Sequence, residues 1–193
     1  IGKYVFMYCD NLDTIMVDKN NETYYSKNNC VIEKATQKMV IGCQSSAIPA
    51  EVKSIGDYVF CGAVGLTRIT LPEGIESIGE YAFAELNSIH SVSLPKSLTE
   101  IGSSAFASCY GLEKVNISDI SAWITINFGE YDANPVLYAK NLYLNGEPVK
   151  EAVFPEGTKS VGRAFYGCKS LEKVVLPEGV TEIESSAFAN CSA

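Results

Sequence analysis

Several ingredients of catalysis, of membrane insertion and of nucleic-acid binding are scarce in this chain or missing from it. Basic residues are outnumbered: 15 Lys and Arg stand against 23 Asp and Glu, a formal charge of −8 over 193 residues. A nucleic-acid partner wants a basic stripe, and an anionic lipid surface wants a polybasic cluster, so neither is expected. No apolar run approaches the roughly 20 residues that span a bilayer, and the opening residues do not read as a secretory leader. No Cys-x-x-Cys occurs, so a zinc or redox motif is unsupported. No glycine-rich phosphate loop of the required spacing is present. Histidine occurs once, as His90, with no Ser or Cys in a predictable relation to it, so a nucleophilic triad is unsupported. Asp18, Asn20 and Glu22 alternate like oxygen ligands but lack the glycine and remaining ligands of a calcium loop. No catalytic residue, metal ligand or cofactor is therefore expected.

What the chain has in plenty is self-similarity. Leu71-Pro72-Glu73-Gly74-Ile75-Glu76-Ser77-Ile78-Gly79-Glu80-Tyr81-Ala82-Phe83 returns at Leu94-Pro95, Ile101-Gly102 and Ala105-Phe106, and again from Leu176-Pro177-Glu178-Gly179-Val180 to Ala187-Phe188. A period of 20–30 residues is the signature of a solenoid. Each unit holds a strand of the form apolar-x-x-apolar-x-apolar. The clearest are Leu66–Leu71, Ile89–Leu94, Leu112–Ile117 and Leu171–Leu176, and the frame also fits Leu12–Val17, Cys43–Ile48 and Val149–Phe154. That makes about seven turns in a single domain over 1–193. The last anchors Ile48, Leu71, Leu94 and Ile117 are spaced by three successive steps of 23. The anchors point into the core and the intervening residues point out. Proline ends the strand because it cannot donate to a further ladder bond, and the Ala-Phe pair buries the largest side chain of each turn. The chain opens inside a unit at Ile1-Gly2-Lys3-Tyr4-Val5-Phe6 and closes inside one at Cys191-Ser192-Ala193, so it reads as truncated at both ends. The recurring Glu73, Glu76, Glu80, Glu156, Glu178, Glu182 and Glu184 keep the repeat spacing, which marks a solvated face and not a pair of catalytic carboxylates.

Two turns are long, through 18–42 and 118–148, and both read as protrusions that return by a hairpin. Asn145-Gly146 is a tight-turn signal, and Val31-Ile32-Glu33 and Met39-Val40-Ile41 flank Ala35-Thr36-Gln37-Lys38. With Thr36-Gln37 at the tip, Cys30 faces Cys43, and these two are the candidates for a disulfide. Seven cysteines preclude complete internal pairing. Cys9, Cys109, Cys168 and Cys191 fall three residues after the repeat Phe, in a slot that holds Ala63 and Leu86 elsewhere, as expected of thiols packed as small hydrophobes.

The outward positions of the strands are the candidate contact residues: Arg68, Thr70, Ser91, Ser93, Lys114, Asn116, Lys173 and Val175 are expected on one strip, polar and slightly basic on an acidic protein. Trp123, the single tryptophan, lies in the second long turn. Exposed beside Tyr131 and Tyr138 it would make a binding platform; the competing reading is a small core beneath the insertion.

The pattern Leu-Pro-x-x-Val/Ile-x-x-Ile-Gly-x-x-Ala-Phe-x-x-Cys-x-x-Leu-x-x-Val resembles the BspA-like leucine-rich repeats over nearly the whole chain, almost position for position in Leu94–Asn116 and Leu176–Cys191. Ala63 and Leu86 depart from the usual Cys, and the 154–175 turn is one residue short. The resemblance implies a right-handed leucine-rich-repeat solenoid with one parallel sheet, short second strands or turns on the other side, little helix, and two long-turn hairpin insertions. It implies a secreted or surface-displayed bacterial protein engaged in adhesion or host interaction. The expected function is non-catalytic extracellular protein binding. The alternatives are a structural spacer that displays other domains, or binding of a glycan such as mucin.

Overall fold

The computed structural model describes residues 1–9 and 11–191, and of Tyr131 the backbone only. In chain order the strands are β1 (Tyr24–Lys27), β2 (Cys30–Glu33), β3 (Lys38–Ile41), β4 (Ser54–Ile55), β5 (Ile69–Thr70), β6 (Ser77–Ile78), β7 (Ser91–Leu94), β8 (Glu100–Ile101) and β9 (Lys114–Ile117). After them come helix α1 (Ile120–Ile124), β10 (Asn127–Phe128), a 3-10 turn (Tyr131–Ala133), helix α2 (Val136–Ala139), β11 (Leu142–Leu144), β12 (Glu147–Pro148), β13 (Glu151–Val153), β14 (Ser160–Val161), β15 (Lys173–Val175) and β16 (Glu182–Ile183). The chain winds as a solenoid between two mostly parallel sheets. The front sheet runs β12-β11-β9-β7-β5, and the back sheet runs β1-β2-β3-β4-β6-β8-β10. Beyond the second long turn both are interrupted: β13 pairs only with β15, and β14 only with β16.

One regular turn shows why this sequence takes this shape. Strand anchors such as Ile69, Val92 and Val115 are buried beside the Ala-Phe pairs of the same turns. The rings of Phe60, Phe83 and Phe106 stack with centroids 5.4 Å apart. Each buried Phe is worth roughly 1.5–3 kcal/mol, provided a neighbouring turn covers it. The backbone bonds turn to turn at the same place: Phe60 N–H donates to Ala82 O and Phe83 N–H to Ala105 O, both at 2.8 Å. The residue two before the Phe lies in the left-handed region at Tyr58 (φ 61°), Tyr81 (53°), Ser104 (57°) and Ser186 (67°). The residue two after it is left-handed as well, at Glu85 (64°), Ser108 (59°) and Asn190 (62°). Each costs roughly 1–2 kcal/mol in a non-glycine residue, offset by the inter-turn bonds and the ring stack. Arg163 escapes the rule because its turn lacks the residue that would carry the strain. Gly79 and Gly102 are required for another reason: a Cβ there would meet backbone of the preceding turn at 2.6 Å and 2.8 Å.

The insertions are built into the solenoid, not hung from it. The first becomes the meander β1-β2-β3, whose last strand pairs parallel with β4 and so extends the back sheet. The second supplies β10 to the back sheet and β11 to the front. Asn145 (φ 52°) and Gly146 (φ 91°) close the β11–β12 hairpin as their sequence predicts. Two of the expected strand frames, Leu12–Val17 and Cys43–Ile48, form no strand. The second is drawn off by the β1–β2 turn: Ala47 N–H donates to Asn28 O (3.1 Å), and the Ser46 hydroxyl donates to Asn29 O (2.6 Å).

Cys30 and Cys43 are free thiols, as are the chain's other cysteines, which corrects the expected disulfide. A bulge between Val31 and Ile32 slips the hairpin, so that Val31 faces Ile41 and Ile32 faces Met39. Cys43 falls beyond the paired residues. The Cys30 thiol points to Asn28 O and Ala47 O, and the Cys43 sulfur lies 3.2 Å from the Ser45 hydroxyl. In the repeat slot Cys109 and Cys168 are buried as expected of small hydrophobes, whereas Cys191 is half-buried and Cys9 is exposed; the Cys109 thiol donates to Phe83 O (3.1 Å) and the Cys191 thiol to Phe165 O (3.0 Å).

Candidate functional site

The front sheet brings most of the expected strip together. Ile69 pairs with Val92 and Thr70 with Ser93; Ser91 pairs with Lys114 and Ser93 with Asn116; Asn116 pairs in turn with Tyr143 of β11. Thr70, Ser93, Asn116 and Tyr143 thus stand abreast as one row, with Ser91 and Lys114 beside it and Arg68 one residue before β5. The anchors between them are buried while these side chains are exposed or half-buried. Lys114 leans over the neighbouring ring, its Nζ 5.4 Å from the Tyr143 centroid, a contact worth about 0.5–1 kcal/mol at an exposed site. Tyr143 is the strip residue that the sequence reading missed. The signal for it is the Leu-Tyr-Leu alternation of 142–144, which serves at once as the first arm of the β11–β12 hairpin and as a rung of the front sheet.

Lys173 and Val175 stand apart, in the separate β13–β15 pair. There Glu151 is in register with Lys173, and Lys173 Nζ lies 2.7 Å from its carboxylate. Lys150 pairs with Glu172 at 2.8 Å, and the bond to that carboxylate raises the ammonium above its usual range. Both bridges are well exposed, so solvent screens them and each contributes little to stability. They cross-neutralise this end of the face, whereas Arg68 and Lys114 enter no ion pair among the described residues.

Trp123 belongs to the core, which corrects its assignment as a contact residue. It is 1 % exposed, packs edge-on against Phe128 at 5.3 Å, and its Nε1–H donates to Ala164 O (3.1 Å). Asn134, wholly buried, donates its amide to Arg163 O (2.9 Å) and Ala164 O (3.0 Å). Of the imagined aromatic platform, the Tyr131 side chain lies outside the described residues, and Tyr138 is half-buried against Tyr110. His90 is exposed and shares a hydrogen bond with Ser88 O. Among the described residues no group of His, Cys, Asp and Glu is placed to hold a metal ion, and no helix is long and apolar enough to cross a membrane.

At the free end of the front sheet, between 46–48 and β5, lies a cleft of about 290 Å³ lined by Ala47, Ile48, Leu66, Arg68 and Thr70, with Phe60 and Phe83 also on its wall.

The chain is similar to a leucine-rich repeat protein from Eubacterium ventriosum, at 22% identity and a TM-score of 0.62, over 98% of this chain and 55% of that one. It is likewise similar to the pneumococcal vaccine antigen PcpA, at 22% identity and a TM-score of 0.57, over 91% of this chain and 40% of the other. At that identity the likeness bears on the fold, and the chain spans about half the length of these structures. No curated protein matches it. The model of the BspA type leucine-rich repeat region matches in six copies over residues 31–128 and 139–193. With its stacked Ala-Phe turns and parallel ladders, this chain belongs to the BspA-type leucine-rich-repeat family.

Proposed function

We propose that this solenoid is a non-catalytic recognition module, secreted or displayed at a bacterial cell surface, that binds a protein ligand through its front sheet. The observation that carries the reading is the row Thr70, Ser93, Asn116 and Tyr143, set abreast by strand register, with Lys114 and Arg68 beside it in no ion pair among the described residues. Tyr and Arg, both present here, are the residue types enriched at the anchors of protein interfaces. The description of one structural neighbour as a vaccine antigen accords with surface display. The ligand class proposed is a host matrix protein or a surface protein of another cell. The glycan reading loses the residue it rested on, since Trp123 is buried.

Surface plasmon resonance against immobilised fibronectin, laminin and collagen, with a glycan array in parallel, tests the proposal. Saturable binding to a protein is expected, with at least a ten-fold loss in the double variant Lys114→Glu, Tyr143→Ala. Binding to none of the proteins, by a variant set that folds normally, leaves the spacer as the better account; saturable glycan binding that the double variant preserves overturns the front-sheet assignment.

A further inference from the structure

The regular front strands follow one hydrogen-bond rule. In the β7–β9 pair the Lys114 N–H donates to His90 O (3.1 Å), and in the β13–β15 pair the Lys173 N–H donates to Lys150 O (3.0 Å) and the Phe154 N–H to Val175 O (3.0 Å). Outward residues of each strand therefore turn their backbone groups toward the preceding turn. Arg68 and Thr70 are the residues of that register at β5, which ends its sheet. Where their partner strand should run, 43–48 has been drawn to Asn28 and Asn29. The Arg68 N–H has no backbone carbonyl partner among the described residues. Between the two segments lies the cleft, its apolar lining reaching down to the buried Phe60 and Phe83. An exposed edge over an apolar cleft is the geometry of strand addition.

We infer that this edge captures an extended peptide as a parallel strand, one that places an acidic residue against Arg68 and apolar residues into the cleft. The molecule contains its own template. β13 lies before β15 as the captured strand would lie before β5, and there Glu151 meets Lys173 while Ala152, in register with the sheet anchor Val174, is buried. Arg68 is the β5 counterpart of Lys173, without its carboxylate. The proposal rests on the protein-recognition reading and specifies the form of the ligand and a second point of contact.

The probe is a blocked, fluorescein-labelled peptide with the sequence of residues 149–155, Val-Lys-Glu-Ala-Val-Phe-Pro, titrated with the folded protein by fluorescence anisotropy. Saturable binding is expected. N-methylation at the Ala or Phe position, whose N–H faces β5 in the template, abolishes it, whereas N-methylation at the Glu or Val position changes it less than about three-fold. Arg68→Glu weakens binding about ten-fold, and a peptide with Lys for Glu recovers that loss on the variant. Circular dichroism checks that the variant folds, as expected of an exposed side chain. Absence of saturable binding, or binding indifferent to both the methylation pattern and the charge exchange, overturns the inference. So does sedimentation showing that the cleft is instead occupied by a second copy, with dimers lost in Arg68→Glu. If the Lys114→Glu, Tyr143→Ala variant still loses its protein ligand while the peptide fails, the edge proposal alone is wrong; if neither binds, both are.

Discussion

The regular turns between 54 and 117 and the long turn between 118 and 148 face the same two demands and meet them differently. Each must cover the neighbouring turn's Phe, and each must supply a donor to the carbonyl of the Ala before that Phe. In the regular turns a stacked Phe provides the cover and a backbone N–H the donor, to Ala82 O and Ala105 O. In the long turn no Phe stacks; the buried Trp123, edge-on to Phe128, brings a ring into the same core, and the donors to Ala164 O are the Trp123 indole and the Asn134 amide. The comparison separates what the fold demands from how the repeat usually delivers it: the acceptor and the apolar volume are fixed, and their partner is interchangeable.

Substitutions on the two sides break or sharpen that comparison. Trp123→Ala removes both cover and donor and is expected to cost about 3–5 kcal/mol, as much as Phe106→Ala in a regular turn, by urea unfolding. Trp123→Phe sharpens this, because it keeps most of the ring and isolates the lost indole bond. Asn134→Ala leaves the Arg163 carbonyl without its amide and costs about 1–3 kcal/mol; a loss as large as that of Trp123→Ala would mean the amide, not the ring, holds the turn. On the regular side, burial raises the Cys109 thiol from 9.0 to about 12 and the Cys61 thiol to about 11, and in the first insertion it raises the Cys30 thiol to about 11. The folded state keeps these protons after the unfolded chain has released them. Their contribution is whole below pH 9 and is lost as the pH rises from there toward 11 or 12. Cys109→Ala should flatten the alkaline fall in stability by about 1.4 kcal/mol per pH unit, read from melts between pH 9 and 11. Smallest is Ser108→Gly, which relieves a left-handed serine and should stabilise by about 0.5–1 kcal/mol. The same change at Arg163, where φ is not positive, should not stabilise.

Much of this was legible because anchors at fixed spacing can satisfy only a stacked fold. The strands β5, β7, β9, β13 and β15 fall within frames read directly from Leu66, Ile89, Leu112, Val149 and Leu171. Asn145-Gly146 announced its turn by local conformational preference. Cys43–Ile48 failed because a strand frame states what a segment can do, not which neighbour wins it; here the carbonyls of Asn28 and Asn29 won. The left-handed residues were illegible since Tyr, Ser, Glu and Asn occupy them in place of glycine. The polar strip could be listed from alternation, but the neutralisation of Lys173 and the cleft beside Arg68 depend on which strands meet.

The single missing residue before Ala164 has a mechanical meaning. Gly56, Gly79, Gly102 and Gly129 are each jammed against backbone of the turn before, whereas a Cβ on Gly162 would meet only a Glu184 oxygen at 3.8 Å. Both ladders break at that level, so 149–191 is a two-turn block fastened to the rest by the Trp123 and Asn134 bonds, by Val149 N–H to Leu142 O and Lys169 N–H to Lys140 O, and by shared apolar contact. Two turns are too few to stand alone. Under tension along the axis this joint is the mechanical fuse: it yields before the ladders on its N-terminal side, releasing roughly 150 Å of chain in one step of an optical-tweezer trace. Release in several equal single-turn steps would mean that the load is shared evenly.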